Sequence, residues 1–271
     1  MSLLSFLNPP ALQDDFDALM STETPRDALV KAARRIVRRA LDGARPDPAL
    51  MTGALARVKE LTAASREFSA AARLKDEDIA RGILTRIDEV ADPRAANAAV
   101  SFLISPYTTQ DAAKAFQDAA MEKWEKTLAA IGAADPLEAL RIACAKNKAM
   151  DPDSIYRPRM TALVLDLVDR VAEADPVAAL RGAFDAFLCT DGHDIPAVLP
   201  VLRVAVRVIG RAAEQDPALA VHVADHMTEG VPFRVTGELT NLTLTLEDTA
   251  ARHDPASAKP RRRRIPDANM L

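Results

Sequence analysis

The sequence predicts an all-α protein assembled from repeated helix pairs, and three observations carry that expectation. An Asp-Pro pair recurs at Asp47-Pro48, Asp92-Pro93, Asp135-Pro136, Asp175-Pro176, Asp216-Pro217 and Asp254-Pro255, at successive spacings of 45, 43, 40, 41 and 38 residues. The first five pairs each open an alanine-rich segment with helical apolar spacing, and a longer amphipathic run precedes each pair. Eighteen prolines stand beside nine glycines, the balance of helices punctuated by proline rather than of strands joined by glycine turns. A period near 40 residues marks a stacked array.

The chemistry of the pair explains its recurrence. An N-cap aspartate accepts hydrogen bonds from the free N–H groups of the first helical turn, and its charge suits the positive end of the helix dipole. Proline at the first helical position lacks only an N–H that would have had no partner, and its fixed φ suits a helix start.

In chain order, residues 1–24 form a cap segment with a short helix over Ala11 to Met20, and residues 25–255 form the repeat domain. Long first helices are expected over Arg26 to Leu41, Asp78 to Val90, Asp111 to Ile131, Met160 to Ala174 and Ala197 to Glu214. In Arg26 to Leu41, for example, Val30, Ala33, Val37 and Leu41 share one stripe. Shorter second helices are expected in DPALMTGALARV, DPRAANAAVSFL, DPLEALRIACAK, DPVAALRGAFDA and DPALAVHVADHM. Asp151-Pro152 falls out of register and reads as a loop. Residues 236–248 suit a helix through Leu239, Leu242 and Leu246 or a strand through Leu242, Leu244 and Leu246, and the repeat register selects the helix. Residues 256–271 are polar and basic, the composition of a disordered tail.

Two such helices cannot bury their apolar faces alone, so neighbouring pairs must stack. This pattern, over roughly residues 25–250, resembles the HEAT and armadillo-like α-solenoid class. The resemblance implies a right-handed solenoid of about five to six two-helix repeats of about 40 residues, curved and presenting one face to a partner. It brings no catalytic residues, and the chain departs from the usual HEAT arrangement by placing its strongest Asp-Pro signal at the second helix.

Composition narrows the function classes. Apolar residues make up 49% and charged residues 27%, values of a soluble globular chain. Two cysteines, Cys144 and Cys189, form no disulfide framework, which points to a reducing, cytoplasmic setting. The apolar start Met1 to Leu7 has no basic leader and ends at Asn8-Pro9-Pro10, so no signal peptide is expected. No stretch approaches the roughly 20 apolar residues of a membrane span. Residues 259–271 carry a net +4 within a total of −4, so the preceding chain carries −8.

Four groups of residues are candidates for function. Six and ten residues beyond the last three cap aspartates lie Arg141, Arg181, His222, Asp185 and His226, which an array would align across neighbouring second helices. Such a ladder suits an acidic or phosphate-bearing partner, or is a solvated face with local pairing. His222 and His226 stand one turn apart, a spacing able to hold a metal ion, although the glutamate of zinc peptidases is missing. Cys189 and His193 complete a candidate metal set, against a packing role for the thiol and a capping role for Asp194.

Lys31, Arg34, Arg35, Arg38 and Arg39 form a basic stripe on the first long helix. It suits nucleic acid, anionic lipid or an acidic protein, or pairs within the chain with Asp14, Asp15, Asp17 and Glu23. Arg261, Arg262, Arg263 and Arg264, with Lys259, form a cationic tail suited to phosphate neutralisation, without interleaved aromatics for base stacking. There is no GxGxxG and no GxxxxGK[ST] phosphate loop. The expectation is therefore a non-enzymatic scaffold or adaptor without cofactor, binding another protein through its stacked helices. The alternatives are a nucleic-acid-associated repeat protein, or a metal-dependent enzyme around Cys189, His193, His222 and His226.

Overall fold

In the Asp-Pro pairs at Asp92, Asp135, Asp175 and Asp216, the aspartate stands immediately before a helix that begins at the proline. In the structure, a computed structural model, residues 12–41, 48–73, 76–101, 103–104, 114–231 and 237–255 are described. Second helices begin at the proline of each of the first five pairs: α3 (Pro48–Ala64), α6 (Pro93–Ser101), α8 (Pro136–Ala149), α10 (Pro176–Leu188) and α12 (Pro217–Glu229). The remaining helices are α1 (Leu12–Met20), α2 (Arg26–Leu41), α4 (Arg66–Ala72), α5 (Asp76–Leu84), α7 (Lys114–Ala134), α9 (Arg157–Val171), α11 (Ile195–Gln215) and α13 (Gly237–His253). No strand occurs among the described residues.

One aspartate serves two helices. The Asp175 N–H donates to the Val171 carbonyl at 2.9 Å, closing α9, while its carboxylate accepts from the Ala178 N–H at 2.9 Å, opening α10. Asp216 repeats this between Ala212 at 2.8 Å and Leu219 at 3.0 Å. The backbone angles agree, with φ −142° and ψ 80° at Asp175 and φ −140° and ψ 80° at Asp216. Asp92 caps α6 through the Arg94 N–H at 3.0 Å, and the Asp135 N–H donates to Ile131 at 2.8 Å. Asp151 instead forms a local turn, accepting from the Asp153 N–H at 2.9 Å, as its irregular register predicts. Asp47 and the residues that would follow Asp254-Pro255 lie outside the described residues.

Two compact units make up the chain, residues 1–135 and 136–271, and the division falls at an Asp-Pro pair. In the first unit α1 packs on α2 and α3, burying Leu19. The first helices α2, α5 and α7 pack in sequence, and the second helices α3 and α6 touch. Ile36, Met51, Leu55, Ile83, Met121 and Trp124 are fully buried there.

Three features of this unit depart from the expected pattern. Helix α3 has 17 residues and α2 has 16, so the second helix is not the shorter one. The short helix α4 follows it, capped by the Ser65 hydroxyl, which accepts from the Phe68 N–H at 3.1 Å. The helix expected to run to Val90 stops at Leu84: the Thr85 N–H still donates to the Arg81 carbonyl at 3.1 Å, but the Arg86 N–H turns to the Ile83 carbonyl at 3.0 Å, a tighter i to i−3 bond. A 3₁₀ turn over Ile87–Glu89 follows.

The second unit is more regular. Each helix from α8 to α11 packs on the next and on the next but one, and α12 packs on α13. Two layers result, α8, α10 and α12 in one and α9, α11 and α13 in the other. Alanines make the close contacts: Ala139, Ala143, Ala179, Ala183, Ala205 and Ala220 are fully buried. A Cβ on Gly182 would sit 3.0 Å from Val168 and 3.1 Å from Leu140, so α10 approaches both α8 and α9 at a position that fits hydrogen better than methyl. Helix α9 starts at Arg157, three residues before the expected Met160, because Pro158 occupies the first turn. Residues 237–253 are helical, as the register predicts, with Leu239 and Leu246 buried.

Removing a shared cap should loosen both helices that it joins. Asp175→Ala and Asp216→Ala should each lower the unfolding free energy by about 1 kcal/mol in urea titrations, and Asp151→Ala by less. A Cβ on Gly192 would run into the Gly230 carbonyl oxygen, a backbone atom that cannot step aside. Gly192→Ala should therefore cost roughly 1–3 kcal/mol in the same assay.

Candidate partner-binding face

The exposed side of the second helices in the second unit carries the predicted ladder, and the structure assigns its residues to different tasks. Arg141 on α8 is exposed. Arg181 on α10 is exposed, and its guanidinium lies 3.9 Å from the Asp216 carboxylate that caps α12. Asp185 on α10 is half-buried and paired with Lys148 on α8 at 2.7 Å. That pair raises the Lys148 pKa, chiefly through the hydrogen bond itself. His222 and His226 stand exposed on α12.

Around the histidines an aromatic cluster forms. The Phe184 ring on α10 meets the His222 ring edge-on at 5.5 Å and the His226 ring at 5.8 Å. The two imidazoles lie 4.3 Å apart between centroids. Sequence reasoning missed Lys148 and Phe184. Each lies on the same helix face as its ladder neighbours, Lys148 exposed and Phe184 half-buried, at positions 13 and 9 beyond Asp135 and Asp175, and extending the register count would have found them.

Thiol and amine chemistry in this unit is set by burial. Cys144 is buried, and desolvation, reinforced by the Asp185 charge, pushes its thiol up to about 12. Lys146, half-buried on α8, is lowered to about 8 because burial disfavours its charged form. Cys189 ends α10, and its carbonyl accepts from the Arg157 guanidinium at 2.9 Å. His193 is exposed, and its Nδ1 lies 3.3 Å from Asp191, whose carboxyl is held low mainly by the His193 backbone N–H. Among the described residues, no three of His, Cys, Asp and Glu gather into a group able to hold a metal ion. Cys189, His193, His222 and His226 are therefore not one ligand set.

The basic stripe of α2 is largely committed inside the first unit. Asp15, 1% exposed, accepts from Arg35 Nε at 3.0 Å and from Arg39 Nη1 at 3.0 Å. Arg34 donates to the Ala72 carbonyl at 2.8 Å and to Ala71 at 2.7 Å, closing α4. Of the other acidic residues expected to pair with the stripe, Asp17 accepts from Gln13 at 2.7 Å instead. Lys31 and Arg38 lie on the exposed side of α2. The cationic run Lys259 and Arg261 to Arg264 lies outside the described residues.

Two measurements follow from these environments. Maleimide at pH 7.5 should modify Cys189 in the native protein and leave Cys144 intact until denaturant is added, as read by mass spectrometry. The folded pKa of Lys146 lies below its unfolded value, so the unfolded chain binds the extra proton between about pH 8 and 10.5 and stability rises with pH across that window. Lys146→Met should therefore be more stable than the wild type below pH 8, by about 1–3 kcal/mol, with the gain fading towards pH 10.5. No family model, curated protein or solved structure matches this chain.

Proposed function

We propose that this chain is a non-enzymatic helical-repeat scaffold, a right-handed α-solenoid that binds another protein through its exposed second helices. One observation carries the reading. Polar side chains join elements 35 to 38 residues apart again and again: Lys148 with Asp185, Arg181 with Asp216, Arg207 with Asp169 and Arg203 with Glu238. Lys126 with Asp88 does the same in the first unit. Each pair links alternate helices rather than consecutive ones, the signature of units stacked at a fixed offset.

Exposed ion pairs contribute little stability, so their regular placement speaks for a uniform offset more than for strength. The exposed residues Arg141, Arg181, His222 and His226 of α8, α10 and α12 lie with the half-buried Phe184 at this surface. Arginine and aromatic side chains are favoured anchors in protein interfaces. No helix among the described residues is long and apolar enough to cross a membrane.

Quantitative affinity purification from the native cell tests this reading. Partners recovered by the wild type should be lost with the double variant Arg141→Glu and Arg181→Glu, and kept with Asp166→Ala on α9. Equal recovery by all three proteins would reject the face. The nucleic-acid reading keeps the tail Arg261, Arg262, Arg263 and Arg264, because Arg34, Arg35 and Arg39 are engaged elsewhere. It requires DNA or RNA binding that weakens steeply with salt and disappears on deletion of residues 259–271.

A further inference from the structure

We propose that His222 and His226 form a surface site for a late first-row divalent transition-metal ion, held by two imidazoles with water in the remaining positions. This inference is independent of the scaffold reading and assigns no catalysis.

The geometry begins with helix α12, on which residues four apart lie one above the other. The ring centroids are 4.3 Å apart and the ring planes make an angle of 50°. Metal–imidazole bonds of about 2.0–2.1 Å bring two rings that share one ion to roughly 4.5–5 Å between centroids. The observed 4.3 Å lies within a small side-chain adjustment of that separation.

Two further contacts orient the rings. His226 Nδ1 lies 3.2 Å from the His222 backbone carbonyl, an acceptor only, so the hydrogen bond puts the proton on Nδ1 and leaves the Nε2 lone pair for a ligand. Metal-binding histidines commonly donate their other N–H to a carbonyl in this way. Phe184 touches both rings edge-on from α10, which narrows their rotation. Both histidines are exposed, so an ion reaches them from solvent without opening the fold.

Imidazole nitrogen selects the borderline ions over Mg²⁺ and Ca²⁺, which take oxygen ligands. Two protein donors predict affinity well short of a structural zinc site.

Isothermal titration of the full chain with Cu²⁺, Ni²⁺ and Zn²⁺ tests the site, with Mg²⁺ as the control ion. The expected result is one site per chain, tightest for Cu²⁺, with Kd on the order of 1–100 µM and no response to Mg²⁺. His222→Ala and His226→Ala should each weaken binding at least about tenfold, while His193→Ala leaves it unchanged. Since both side chains are exposed, circular dichroism should show all three variants folded, and His226→Gln provides a second variant that keeps a polar side chain. Absence of saturable binding with millimolar ion, or affinity unchanged in both His222→Ala and His226→Ala, would overturn the proposal.

Discussion

Every helix leaves backbone N–H groups unpartnered at its start and carbonyls at its end, and this fold depends on closing them. Glycine commonly closes helix C-termini, but only nine are present in 271 residues. The chain closes many of its helix ends with charge. Aspartates cap α6, α10, α11 and α12, and arginines take several of the C-termini.

Arg157 makes the point in one side chain. It donates to the carbonyls of Met150, Asp151 at 3.1 Å and Cys189 at 2.9 Å, tying the end of α8 to the start of α9 and the end of α10. Arg34 closes α4 in the same way, and Arg57 reaches the Leu19 carbonyl of α1 at 3.3 Å. A guanidinium offers several donors in a fixed fork, which suits adjacent carbonyls, and a cation at a helix C-terminus is also favoured by the dipole. An arginine used in this way is no longer free to meet a phosphate. Much of the positive charge that looks functional in one dimension is therefore architectural in three.

The second unit shows how small residues and regular pairing cooperate. Buried alanines and Gly182 let the helix axes approach, while Leu180, Leu202 and Met160 fill the remaining space. Each alanine buries little area, so cohesion comes from many contacts along a helix rather than from a few large anchors. Trp124 is the exception, in the first unit: it is fully buried, its backbone carbonyl accepts from Asn97 at 3.1 Å, and its indole N–H finds no acceptor among the described residues.

What the sequence determined by itself is where the five second helices begin. An aspartate cap acts on N–H groups two or three residues away, and the following proline ends the preceding helix, so both effects are local and legible in a dipeptide. The apolar stripe of α2 was legible from its helical spacing, which is likewise a local pattern. The tertiary structure alone decided how the charges are spent. Arg34 lies 38 residues from Ala72 and Arg157 lies 32 from Cys189, distances at which no local pattern reveals a partner. The face around Phe184, His222 and His226 was likewise half legible. Helical spacing aligned the two histidines, but only the packing of α10 against α12 brought the phenyl ring to them.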